Sequence, residues 1–240
     1  MEIPRIRLSK FEYNQIISQR KSNNVLVVGD LHAPFIRKGY FDHCLSVYKK
    51  HGCSEVVFIG DVVDNHYSSF HPSDPDGYSA GDELQRAIDV LQPWYKAFPD
   101  SKVTLGNHDR NPARKIYDGG VSERWMKGYR QVLETPSWDF VDHYIKDDVL
   151  YVHGDGSGHA HIRARKELIS VVQGHFHSSC DITFYAGRNY RIFGMQVGCG
   201  VDDKTYAMAY GKNHPRSIMA CAVVKDNGTL PIIEPMKLKK

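Results

Sequence analysis

Three short apolar runs in the first half of this chain each stop on a glycine followed by an acid or its amide. Val25-Leu26-Val27-Val28 leads into Gly29-Asp30-Leu31-His32, Val56-Val57-Phe58-Ile59 into Gly60-Asp61-Val62-Val63-Asp64, and Lys102-Val103-Thr104-Leu105 into Gly106-Asn107-His108-Asp109. A continuous apolar run rich in β-branched residues suits a strand buried on both faces of a central sheet. Between the runs, Phe41, Cys44, Leu45 and Tyr48 recur at helical spacing with Gly52 just beyond. Leu84, Ala87, Ile88, Leu91 and Trp94 do the same, and Pro93 is expected to kink or end that helix. Strands alternating with helices predict a βαβ layer with parallel pairing.

The second half changes character. Val149-Leu150-Tyr151-Val152 and Ser170-Val171-Val172 read as further strands, and Ile182-Thr183-Phe184-Tyr185 pairs with Tyr190-Arg191-Ile192-Phe193 as a hairpin around Gly187-Arg188-Asn189. Residues 218–224 and 230–233 flank an Asn227-Gly228 turn. The expectation is an α/β (α+β) architecture: two mixed β-sheets packed as a sandwich, flanked by α-helices, in one domain over residues 1–240. Ser9-Lys10-Phe11-Glu12 has the form of a capping box, so residues 1–22 read as a helical N-terminal extension.

The bulk numbers fit a globular chain. It has 240 residues, 41% hydrophobic and 25% charged, and a net charge of +3 is too mild to argue for nucleic acid by itself. Thirteen histidines are the oddity, and they direct attention to metal-binding clusters. Five scattered cysteines without a CxxC pair argue against a zinc knuckle or a disulfide framework and for reduced thiols. No stretch approaches the ~18 apolar residues of a membrane span, and the first residues lack an apolar signal core. A cytoplasmic location without membrane association is therefore expected.

Two more motifs, Val152-His153-Gly154 and Gly174-His175-Phe176-His177, follow apolar runs and bring the number to five. In an extended segment residues i and i+2 share a face, so Asp30 and His32 can both meet one ion, and His175 with His177 repeats that geometry. Groups at the C-terminal ends of neighbouring strands converge on the crevice where α/β sheets place ligands.

The ordered set GDxH, GDxxD, GNHD, a histidine before glycine, and GHxH spans roughly residues 25–200. It resembles the calcineurin-like metallophosphoesterases, the small bacterial and bacteriophage members above all. The resemblance implies that fold and two divalent transition-metal ions. One would be bound by Asp30, His32, Asp61 and His177, the second by Asp61, Asn107, His153 and His175. Imidazole with carboxylate suits Mn, Fe, Zn or Ni, with Mn favoured, where an all-oxygen cage would suit Mg or Ca. A metal-bridging hydroxide would attack the phosphorus, and His108, oriented by Asp64, would be the general acid.

Protein serine/threonine phosphatases of this superfamily carry Arg after the last Asp of the second motif and Glu after GNH. Asn65 and Asp109 stand there instead, which points toward the small-molecule or phosphodiester branches. The expected function is phosphodiester hydrolysis. The alternatives are a phosphomonoesterase or nucleotidase, a nuclease acting on DNA or RNA, and a metal-binding scaffold, against which retention of His108 and Asp64 speaks.

Arg110, His66 and Tyr67 are candidate substrate contacts, although an ordinary salt bridge also accounts for Asp109 and Arg110. The polar stretch 65–80 reads as a substrate-side flap or as a surface excursion. His159 and His161 border the site in one reading. Arg124, Lys127 and Arg130, near Trp125 and Tyr129, form either a solvated helix face or a nucleic-acid track.

Overall fold

A computed structural model of the chain describes residues 23–69, 74–154, 158–202, 204–205 and 216–237. The expected N-terminal helix lies outside them. The strands β1 (Val25–Val28), β2 (Glu55–Phe58), β3 (Lys102–Thr104) and β4 (Asp139–Val141) pair in parallel. A second group comprises β5 (Tyr144–Lys146), β6 (Val149–Val152), β7 (Ser170–Gln173), β8 (Cys180–Ala186) and β9 (Arg191–Val197). The last hairpin, β10 (Ala220–Lys225) and β11 (Leu230–Pro235), returns to the first group and pairs antiparallel with β1. Two mixed sheets result, in the orders β11-β10-β1-β2-β3-β4 and β5-β6-β7-β9-β8.

Alternation along each strand sends side chains to two different cores, which is why the runs are apolar throughout. Val25 and Val27 of β1 pack with Val57, Tyr151, Val172 and Met195 between the sheets. Leu26 and Val28 face outward, where α1 (Tyr40–Lys50) and α2 (Ala80–Ala97) cover the first sheet with Tyr40, Cys44, Leu91 and Trp94. On the second sheet's outer face, α5 (Ala160–Glu167) buries Ala160 and Ala164 against Leu150, Val152 and Val171.

Several local expectations are corrected. α2 runs through Pro93 to Ala97. Proline removes only its own rung of the hydrogen-bond ladder, and Trp94, which packs against Tyr40, Phe41 and Phe58, holds the last turn to the core. Asn107 does not end a strand: it opens α3 (Asn107–Asp118), three residues after β3 ends at Thr104. Arg124 and Arg130 do not share a helix, because a 3-10 turn (Glu123–Trp125) and the short α4 (Tyr129–Val132) are separate elements. Arg130 is paired with Asp139 at 2.5 Å. No helix among the described residues is long and apolar enough to cross a membrane.

Candidate active site

Every motif leaves the C-terminal end of a strand at the crest where the two sheets meet. Asp30 and Asp61 follow β1 and β2, Asn107 and His108 open α3 after β3, and His153, His175 and His177 follow β6 and β7. Asp30 Oδ2 accepts from the His175 N–H at 2.8 Å and lies 3.1 Å from His177 Nε2. His177 Nε2 is 3.2 Å from His32 Nε2. Across the crest, Asp61 Oδ2 is 3.1 Å from His153 Nε2. Asn107 Oδ1 lies 3.1 Å from both His153 Nε2 and His175 Nδ1. Asp30, His32 and His177 form one group suited to a metal ion, and Asp61, His153 and His175 form another.

Three observations fit divalent ions to these residues. The ring nitrogens of His32 and His177, and those of His175 and His153 at 3.3 Å, point at each other. Bare lone pairs tolerate that only with a proton or cation between them. The opposite nitrogens are tied down: His153 Nδ1–H donates to the Ile59 carbonyl at 2.9 Å and His32 Nδ1–H to Asp64 Oδ1 at 2.6 Å. Such outer bonds fix the tautomer that leaves the inner nitrogen free to ligate. Finally, Asp30 Oδ1 is buried without a partner among the described residues.

The side chains converge by a route other than strand alternation. His32, Asp61 and His175 have φ of 48°, 47° and 69°, in the left-handed region, where strain is about 1–3 kcal/mol each. The Asp61 carbonyl holds one of these bends by accepting from the Leu31 and His32 N–H groups at 3.1 and 2.8 Å. Packing is tight enough to demand glycine. A Cβ on Gly106 would fall 2.0 Å from Asp61 Oδ1, and one on Gly60 (φ +95°) would fall 2.6 Å from His153 Nδ1.

His108, on the first turn of α3, donates its N–H to Asp61 Oδ1 at 2.8 Å. Its Nδ1–H donates to the backbone carbonyl of Asp64 at 2.6 Å, with the Asp64 carboxylate at 3.5 Å. That carboxylate belongs instead to His32. Asp64 thus reaches His108 through the main chain and a metal-site histidine through its side chain. His108 Nε2 makes no hydrogen bond with the described residues. Asn65 (φ 50°) donates from Nδ2 to the His108 carbonyl at 3.0 Å, a contact its sequence position did not suggest.

Of the remaining candidates, Asp109 accepts from the Gly106 N–H at 2.8 Å and the Val63 N–H at 3.3 Å, capping α3. Arg110 points away from the centre, to Asp142 at 2.7 Å and the Leu105 carbonyl at 2.5 Å. His66 is buried, whereas Tyr67 is 57% exposed. His159 stacks on Phe176 at 4.3 Å, and Phe176 meets the His175 ring edge-on at 5.0 Å.

Two buried glutamines were not anticipated. Gln196 donates to the carbonyls of Gln173 and Gly174, and Gln173 donates to the Gly158 carbonyl at 2.9 Å, supporting the turn that carries His175. Their signal was a polar residue in an otherwise apolar strand.

The profile of the family described as Calcineurin-like phosphoesterase matches residues 24–192. The chain belongs to this family. No curated protein matches it. Similar solved structures include the phosphoesterase YfcE of E. coli, at 12% identity over 85% of this chain and 88% of that one, TM-score 0.42. Vacuolar Protein Sorting 29 of Cryptosporidium parvum has 14% identity over 90% and 99%, TM-score 0.43. The nuclease MPE of Pseudomonas putida has 13% identity over 88% and 87%, TM-score 0.34.

The electrostatics of this phosphoesterase centre follow from burial and crowding. Burial pushes Asp61 upward, yet His153 and His108 hold it well below the usual carboxylate range. Burial works against the charged form of His153, but Asp61 and Asp30 lift it to about 10. His32 is pushed down by burial and by His108, and His175 by burial and His153. A cation that replaces the His153 proton releases it, so metal uptake is coupled to pH.

Proposed function

We propose that this chain hydrolyses phosphodiesters at a centre of two divalent ions, with His108 as general acid. Asp30, His32, Asp61 and His177 would hold one ion, and Asp61, Asn107, His153 and His175 the other, manganese being favoured by the donor set. Bound ions supply positive charge for the phosphoryl oxygens and acidify the attacking water.

The observation that carries the reading is the orientation of His108. With Nδ1–H committed to the Asp64 carbonyl, Nε2 is the atom left to pass a proton to the leaving oxygen. Burial opposes the protonated imidazole, but the charges of Asp61 and Asp64 raise its pKa, so the acid form is retained further toward neutrality. An alkoxide leaving group benefits most from such an acid. The diester preference rests on the absence, among the described residues, of an arginine clamp for a dianionic monoester: Asn65 follows Asp64, and Arg110 is engaged by Asp142. Tyr67, beside this site and exposed, is the substrate contact we favour. Five free cysteines, four of them buried, suit a reducing compartment.

Purified protein loaded with Mn should be offered a bis-aryl diester, the matching monoester, an alkyl diester, cyclic dinucleotides and single-stranded DNA. Turnover of diesters above the monoester supports the proposal, and the reverse order makes the protein a phosphomonoesterase. Metal binding without turnover of any substrate leaves a scaffold. His108→Ala is expected to slow the alkyl diester by about 10²–10⁴-fold and the aryl diester far less. Equal rates for variant and parent on the alkyl diester would remove His108 from the chemistry.

A further inference from the structure

Glu83 lies on the buried stripe of α2 that also carries Ala87 and Leu91, and it is only 4% exposed. One of its oxygens accepts from the His66 N–H at 2.8 Å. The other, Oε2, has no hydrogen-bond partner among the described residues, and neither has Asp64 Oδ2. The ionisable groups acting on it are Asp64, from the segment after β2, and His108, from α3. Backbone His66 N–H is its hydrogen-bond donor, and the His66 ring lies 4.0 Å from Asp64 Oδ2. Burial, then the charge of Asp64, push the Glu83 carboxyl up to about 7, while the His66 N–H and His108 pull it down. Two ionised carboxylates buried near each other, each with an oxygen lacking a donor, are unfavourable both as like charges and as unsatisfied acceptors.

We propose that Glu83 is a positioning residue for His108: from α2 it clamps the turn after Asp64 by accepting from the His66 N–H. The clamp matters because Asp64 serves two neighbours, His108 through its carbonyl and His32 through Oδ1. The turn is gripped from α3 as well, where Asn65 donates to the His108 carbonyl and Arg114 to the Ser68 carbonyl at 3.0 Å. Glu83 is therefore the α2 end of a brace that runs beneath the acid.

The role rests on the proposed function, and the test separates the two. Glu83→Gln keeps an acceptor for the His66 N–H, whereas Glu83→Ala loses it. On Mn-loaded enzyme, Glu83→Ala is expected to lose at least about tenfold more kcat on the alkyl than on the aryl diester, with metal content and KM within about twofold of the parent. Glu83→Gln is expected to restore the alkyl rate to within about threefold. Amide hydrogen exchange should show the His66 N–H, from which Glu83 accepts, protected in the parent and in Glu83→Gln but not in Glu83→Ala. If Glu83→Ala does not fold, Glu83→Met fills the same volume without polar atoms and takes its place. Equal losses on both esters, or Glu83→Gln as slow as Glu83→Ala, overturn the positioning role. A parent without turnover overturns the proposed function, and hydrogen exchange then decides the clamp alone; a His66 N–H equally protected in Glu83→Ala overturns that too.

Discussion

Asp64 shows how one residue divides its labour. Its carbonyl accepts from His108, the proposed acid, and its carboxylate fixes the His32 tautomer. Asp64→Asn keeps the carbonyl but weakens the side-chain bond, so Mn affinity is expected to fall about 10–100-fold while the preference between alkyl and aryl leaving groups stays. Calorimetric titration with Mn measures the first effect, and unchanged affinity would contradict the assignment of the carboxylate. Glu83 gives a pH signature of opposite origin. Its carboxyl is raised from 4.5 to about 7, so its contribution to stability is full below 4.5 and is lost as pH rises through 7. Denaturant melts should therefore show the parent losing stability relative to Glu83→Gln over that window. The presence of Glu83 was legible as a charge on the apolar stripe of α2. Its hydrogen-bond donor was not, because His66 belongs to a different element.

At the scale of elements, α3 is where proposed chemistry and folding overlap, since the helix begins on Asn107 and His108. Its buried side chains include Asp109 and Asn111, so it lacks the apolar stripe by which α1 and α2 announce themselves. That is why Gly106-Asn107-His108-Asp109 read as the end of a strand. The cap offers a direct test. Asp109→Ala leaves the Gly106 and Val63 N–H groups without their acceptor and should cost about 1 kcal/mol, measured by urea denaturation, with kcat falling alongside because His108 sits on the same turn. Full stability in that variant would show that water replaces the carboxylate. β1, β2 and β6 were readable because both of their faces are buried. The three-residue β4 and β5 carry too little pattern to stand out.

For the whole molecule, the candidate centre draws ligands from both sheets: Asp30, Asp61 and Asn107 from the first, His153, His175 and His177 from the second. An ion held there binds the folded sandwich and not the unfolded chain. At a free Mn concentration of 100 times Kd it should add about 2.7 kcal/mol, raising Tm by about 5–10 °C, and a chelator should remove that gain. A melting curve indifferent to Mn and chelator would argue against a centre spanning the sheets. The family, the layered alternation and the candidate site residues were all written locally, because ligand chemistry and strand burial depend on residue type and short-range order. Tertiary structure decided which atoms meet. It bent His32, Asp61 and His175 into left-handed backbone, turned Arg110 to Asp142, and gave the Asp64 carboxylate to His32. Those outcomes depend on neighbours contributed by elements far apart in sequence, and no local pattern encodes which of two possible partners a buried carboxylate will face.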